Sequence, residues 1–326
     1  MSKRVPWFLL ASLLLVQSAA VQSQARKVPR VGYLAAVSAA ADAPRLQAFR
    51  QGLRELGYIE GENILIDYRH TDRDFGRLPE IAAELVGLKA DVIVAVTTNA
   101  ALAAKSTTST VPIVFMGVTD PIAAGLVESL PRPGGNSTGI TNMAAILTGK
   151  RLEFLKESLP TVSRVAVLWD PQAPGSLPQW KESHLPALEL RLQLYSMEVS
   201  SVDKYDAAFK EAIKARNGAV WVTLNPLANS NQKVIAELAV KHRLPTICAR
   251  GDYAENGCLI AYGPGYSLEG RDGARYVDRI LKGAKPAEIP VEQPTKFELV
   301  INLKTAKRLA ITIPKSVLSQ ADKLIE

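Results

Sequence analysis

The feature that most constrains this chain is an alternation of short apolar strands with amphipathic helices that runs from Val28 onward and is gone through twice. In the first pass, strands are predicted at residues 31–35, 64–68, 91–96, 113–116 and 138–142. Helices are predicted at residues 45–56, 74–88, 99–105 and 121–130. The helix at 45–56 carries Leu46, Phe49, Leu53 and Leu56 on one face and stops at Gly57, a residue that tolerates positive φ. The run DVIVAV at 91–96 is apolar on both faces, as a strand inside a parallel sheet must be. After a turn cluster at 131–136 the rhythm restarts. Strands then fall at 165–169, 192–199, 219–224, 246–248 and 258–262, with 299–301 extended. The second set of helices falls at 149–159, 178–190, 205–215, 230–241, 268–281 and 314–325. Such alternation demands an α/β fold whose parallel sheets are covered on both sides. With 326 residues the chain has room for about two domains. Two doubly wound sheets therefore fit better than one, with a break near residues 142–150.

Composition narrows the class. Apolar residues make up 47 % and charged residues 22 %, so the chain can bury real cores without metals or a disulfide lattice. Two cysteines and three histidines cannot assemble zinc ribbons or clusters. Lys and Arg exceed Asp and Glu by seven, but the excess is spread along the chain rather than gathered on one face, so no nucleic-acid partner is expected. Residues 1–25 have the layout of a secretory signal peptide: Lys3 and Arg4, an apolar run at 7–16, and small residues before a cleavage point at Ala25 or Ala20. A run of ten residues, interrupted only by Ser12, reaches about 15 Å, half of the roughly 30 Å hydrocarbon core. No cysteine follows for lipid attachment. The mature protein is expected to be exported.

In parallel sheets a ligand sits beyond the carboxyl ends of the strands. Those ends are residues 34–38, 97–99, 117–120, 169–171, 224–226 and 249–252. Thr97, Thr98 and Asn99 begin a helix, where they cap free N–H groups or share them with a carboxylate or phosphate. Asp120 before Pro121 is either a cap or a partner for a ligand ammonium, and Asp120→Ala is expected to weaken binding about tenfold or more. Asp170, Asn225 and Asp252 hold the matching positions of the second half. Trp169, Tyr253 and Tyr262 flank these turns, in reach of an apolar ligand group, whereas Trp221 reads as core. Cys248 and Cys258 read as a disulfide in an exported protein, beside the alternative of two buried thiols.

Catalytic motifs fail on inspection. Gly135, Ser137 and Gly139 match G-x-S-x-G, but a turn precedes the serine and an extended segment follows it, the reverse of what a nucleophile elbow requires. Gly149-Lys150 lacks the rest of a phosphate loop, and no G-x-G-x-x-G follows the first strand. His70 and His242 read as surface residues. No cofactor, no metal and no enzymatic activity are expected.

Several stretches then resemble a known family, the periplasmic substrate-binding proteins of ABC transporters of the tryptophan/tyrosine type. They are FRQGLRELGYIEGENI (49–64), DVIVAVTTNAALAAK (91–105), PIVFMGVTDPIAAGLVESLPRPGGNSTGI (112–140), GKRLEFLKESLP (149–160), RVAVLWDP (164–171), LIAYGPGY (259–266) and YVDRILKGAKPAEIPVEQPTKFELVINLKTAKRL (276–309). The resemblance implies a type I periplasmic-binding fold, two lobes joined by three crossovers and closing on a small molecule. It also implies ABC permease and ATPase partners, and ligand loops at Thr97-Thr98-Asn99, Asp120-Pro121 and Asp170. The expected division is a first lobe at 26–143 rejoined by about 263–290, and a second at 144–262 rejoined by about 291–326. A monomeric solute receptor is expected; a ligand-sensing subunit of a membrane signalling protein and a non-metal enzyme on the same fold are the alternatives.

Overall fold

The computed structural model describes residues 27–326, and of residues 266–268 the backbone alone; the expected signal peptide and its cleavage point lie outside the described residues. The first sheet is wholly parallel, in the order β2-β1-β3-β4-β5. Its strands are β1 (Arg30–Ala35), β2 (Leu65–His70), β3 (Val92–Val96), β4 (Ile113–Val118) and β5 (Ser137–Thr141). The second sheet contains β6 (Arg164–Trp169), β7 (Gln193–Glu198), β8 (Ala219–Val222), β9 (Thr246–Cys248), β10 (Ile260–Gly263), β11 (Glu298–Asn302) and β12 (Lys323–Ile325). Their order is β12-β11-β10-β9-β8-β6-β7, and only the β10–β11 pair is antiparallel.

Alternation along each strand feeds two cores per sheet. Val92, Val94 and Val96 enter one core with Phe49, Leu53 and Val277, while Ile93 and Ala95 enter the other with Leu85 and Ala104. In the second sheet Val165, Val167 and Trp221 face Leu152 and Leu155, and Ala166, Leu168 and Val222 face Phe209 and Ile235. The chain passes between the sheets three times. It leaves β5 for the helix Thr148–Ser158, which packs on the second sheet, and returns from β10 to the helix Tyr266–Leu281, which packs on the first. It leaves again after Glu292, which bridges Ile140, to form β11.

Four expected elements differ. Residues 121–130 form turns instead of a helix: Leu126 N–H donates to the Pro121 carbonyl, and Gly125 in the left-handed region closes the loop. The helix expected from Asp74 starts only after a 3-10 turn at Phe75–Arg77, and Asp74 caps nothing with its side chain. The helix at 178–190 is divided into Ser176–Glu182 and His184–Glu189, with Pro186 in the first turn of the second piece, where its missing N–H does no harm. The closing helix shrinks to Lys315–Leu318, because the following residues become β12 on the open edge of β11.

Candidate functional site

A cavity of about 350 Å³ lies where the carboxyl ends of the two sheets face each other, within the usual size of small-molecule sites. Thr97, Thr98 and Asn99 line it from beyond β3, Gly117 and Thr119 from β4 and its end, and Thr141 and Asn142 from the end of β5. The opposite wall comes from Ala173 and Gly175, from Leu224, Asn225 and Pro226, and from Asn229 and Arg250. Glu269, Asp272, Arg275, Glu292 and Lys296 complete it near the crossovers.

Thr97 is held in an unusual backbone conformation, φ 83° and ψ 164°, a region that favours glycine. Its N–H donates to the Met116 carbonyl, which continues the β3–β4 ladder by one residue, and its own carbonyl accepts from Ala101 N–H, which opens the helix Thr98–Thr107. The first N–H groups of that ten-residue helix have no acceptor within it. The Thr97 hydroxyl does not cap them; it is buried and has no hydrogen-bond partner among the described residues. The cavity wall here thus presents a positive helix end together with an unengaged hydroxyl, a combination suited to an anionic oxygen.

The second-half positions behave differently. Asp170 is fully buried and does not line the cavity: its Oδ1 accepts from Gln172 N–H at 2.9 Å and its Oδ2 from Arg73 at 3.2 Å. Asn225 lines the cavity, but its Oδ1 caps the helix Pro226–Ser230 through Ala228 N–H, and its Nδ2 donates to the Thr223 carbonyl and hydroxyl. Asp252 stands behind Arg250, accepting from Nε at 2.9 Å, from Nη2 at 2.9 Å and from Gln232 at 2.6 Å. Burial works against that carboxylate, yet the Arg250 guanidinium outweighs it and holds Asp252 below the ordinary carboxylate range. Asp120 also lies off the cavity wall, with its Oδ1 accepting from Ala123 N–H inside the 121–126 turn. The cavity therefore collects Thr97, Thr98, Asn99 and Asn225, and leaves out Asp120, Asp170 and Asp252.

Trp169, Trp221, Tyr253 and Tyr262 do not line the cavity either, and no aromatic side chain does among the described residues. Trp169 and Trp221 belong to the core of the second sheet that also holds Leu152 and Leu155, and Tyr253 donates its hydroxyl to Asn229 at 2.6 Å. The two cysteines are neighbours, Sγ to Sγ 2.8 Å, but are free thiols rather than the expected disulfide. Complete burial pushes the Cys248 thiol well above its usual value and keeps it from the reactive thiolate form. His70 is half-buried rather than on the surface, with Nε2 3.2 Å from Asp42.

Several cavity residues escape the strand-end reading, among them Arg45, Asn142, Asn229 and Glu269. Glu269 lies six residues past the end of β10, in the first turn of the following helix, beyond the short turns that the strand-end rule covers. Contacts between the two walls close the cleft: Arg73 also donates to the Ser200 carbonyl at 3.1 Å, and Asn99 Nδ2 to the Gln172 carbonyl at 3.3 Å.

The sequence profile described as ABC transporter substrate binding protein matches residues 30–325, and the chain belongs to that family. It is 28 % identical over 263 residues to the tyrosine-binding protein of Clostridioides difficile, covering 81 % of this chain and 75 % of that protein. A conserved domain protein of Vibrio cholerae superposes with a TM-score of 0.87 at 29 % identity, over 91 % of this chain and 100 % of that one. The ABC domain from Streptococcus pneumonia in complex with L-Trp superposes with a TM-score of 0.85 at 27 % identity, over 91 % and 99 %. The two-sheet α/β architecture is that of the periplasmic-binding-protein-like folds. Among the described residues no helix is long and apolar enough to cross a membrane.

Proposed function

We propose that this protein is an exported receptor that captures a small amino-acid-like solute by closure of its two lobes and delivers it to an ABC permease and its ATPase. The observation that carries this reading is the cavity built between both sheets, with the Thr98–Thr107 helix end and the unengaged Thr97 hydroxyl on its wall. A solute held there touches both walls only when the cleft is shut, so binding shifts the population toward the closed form that a permease recognises. The relatives that are named for tyrosine or hold L-Trp support an amino acid as cargo. Residues 1–25 act as the export signal and place the mature protein in the periplasm as a monomer. One lobe comprises 26–143 with 263–290, the other 144–262 with 291–326. No catalytic step and no cofactor enter this function.

The test is thermal unfolding of the refolded mature chain against amino acids, short peptides, organic acids, sugars and nucleosides. A true ligand at 100-fold over its dissociation constant stabilises by about 2.7 kcal/mol. Stabilisation confined to one class of solute is expected, and no response to any of them counts against the receptor reading.

A further inference from the structure

We infer that Glu269 selects solutes carrying a protonated nitrogen, and that Arg45 and Asp42 position it; the inference rests on the receptor reading above. Glu269 lies in the first turn of the helix Tyr266–Leu281 and faces the cavity with its side chain 11 % exposed. Its Oε2 accepts from Arg45 Nε at 2.6 Å. Arg45 is itself buried and donates through Nη1 to Asp42 Oδ1 at 2.8 Å. Asp42 is fully buried and also takes the Tyr33 hydroxyl at 2.9 Å, with His70 on that same far side of the row. One guanidinium is therefore shared between two carboxylates, and Glu269 is the one at the cavity. An ionised carboxylate offers about four acceptor positions. Excess negative charge in a dry site is costly unless a cation meets it.

The same arrangement recurs beside it. Arg275 donates to Asp272 at 2.8 Å and to Glu292 at 2.9 Å, and all three residues line the cavity. With Arg45, Arg275 and Lys296 against Glu269, Asp272 and Glu292 this flank of the wall is balanced, and the acid short of a cation is within the row Asp42–Arg45–Glu269, where a solute ammonium supplies it.

The backbone makes room for the group. Gly117 has φ 71° at an irregularity in the β4–β5 pairing, fixed by Asn142 Nδ2 donating to its carbonyl at 2.8 Å. A Cβ there would come within 3.2 Å of Glu269 Oε1 and 3.4 Å of Arg45 Nη2. Thr97 N–H bonds the Met116 carbonyl, so Thr97 flanks Gly117 across one strand spacing of about 4.8 Å. The anion-favouring helix end and Glu269 are thus neighbours. A molecule that satisfies both carries an anionic group and an ammonium.

Isothermal titration of the refolded chain with three pools tests this: the L-amino acids, their deaminated carboxylic acids, and neutral sugars. Wild type is expected to respond to the amino acids, with affinity falling roughly ten- to hundredfold in Glu269→Gln for the responding compound. The deaminated counterpart should bind wild type and Glu269→Gln alike, and that residual binding also shows the variant is folded. Asp42→Asn should reduce the preference for the aminated form part of the way. Binding of the acids or sugars but not the amino acids, or equal weakening of both forms in Glu269→Gln, overturns the role of Glu269 and leaves the receptor reading intact. Silence in all three pools removes both.

Discussion

The two walls of the cavity are built from equivalent strand ends and differ in what they leave unengaged. On the first wall Thr97 combines a strained backbone with an unbonded hydroxyl, next to a helix end that lacks acceptors. On the second, the polar groups at matching positions are already committed: Asp170 to Arg73, Asn225 to its own helix, Asp252 to Arg250. Strained residues with unmet hydrogen-bonding capacity cluster where a molecule is to be met. The difference teaches that position at a strand end confers proximity, while availability depends on whether neighbouring residues have taken the side chain first. In our reading the first wall recognises the solute and the second supplies shape and the closing contacts.

The comparison is broken most severely at Arg73, which reaches across the cleft to Asp170 of the second half. Arg73→Ala leaves a fully buried carboxylate without its cation in the closed form. The expected loss is about 1.5–3 kcal/mol of closure free energy, seen as a larger ligand-free radius of gyration in small-angle scattering and a weaker apparent affinity. A variant that scatters and binds as wild type would show that the contact does not hold the cleft shut.

A smaller and opposite pair of effects is expected at Thr97. Thr97→Gly removes the backbone strain and should raise unfolding stability by about 1 kcal/mol, while loss of the hydroxyl lowers affinity several-fold. Chemical denaturation and titration of the same sample read both; a loss of stability would mean that the backbone there is not strained.

The smallest effect is expected at Asp120, where the strand-end reading alone anticipated a tenfold loss. Because its carboxylate serves the 121–126 turn away from the cavity, Asp120→Ala should cost about 0.5–1 kcal/mol of stability and leave affinity within about twofold. A tenfold loss in titration would place Asp120 back among the ligand contacts.

Much of the fold was legible because its signals are local. DVIVAV announces a buried parallel strand, and the hydroxyl and amide residues after it mark the helix start that lines the cavity. What escaped was set by distant partners. Glu269 acquires its place from Arg45, 224 positions away in the chain, and no spacing rule links the two. Asp170 looks like a ligand residue until Arg73, 97 positions earlier, is seen to hold it. The helix expected at 121–130 was lost to Gly125, whose left-handed conformation suits a turn better than a helix interior.

The third passage between the sheets bears on the order in which the molecule can be made. β11 and β12 are the last strands in the chain, yet β11 closes the antiparallel edge of β10. The first sheet, though its own strands end at Thr141, has one face only partly covered, by Phe49 and Leu53 of the helix Ala39–Glu55, until Ala274, Tyr276 and Val277 arrive to complete it. During synthesis from the amino terminus neither half can finish early. A chain interrupted before residue 266 has one half-covered sheet face and one open edge; the helix Tyr266–Leu281 completes the first and β11 the second.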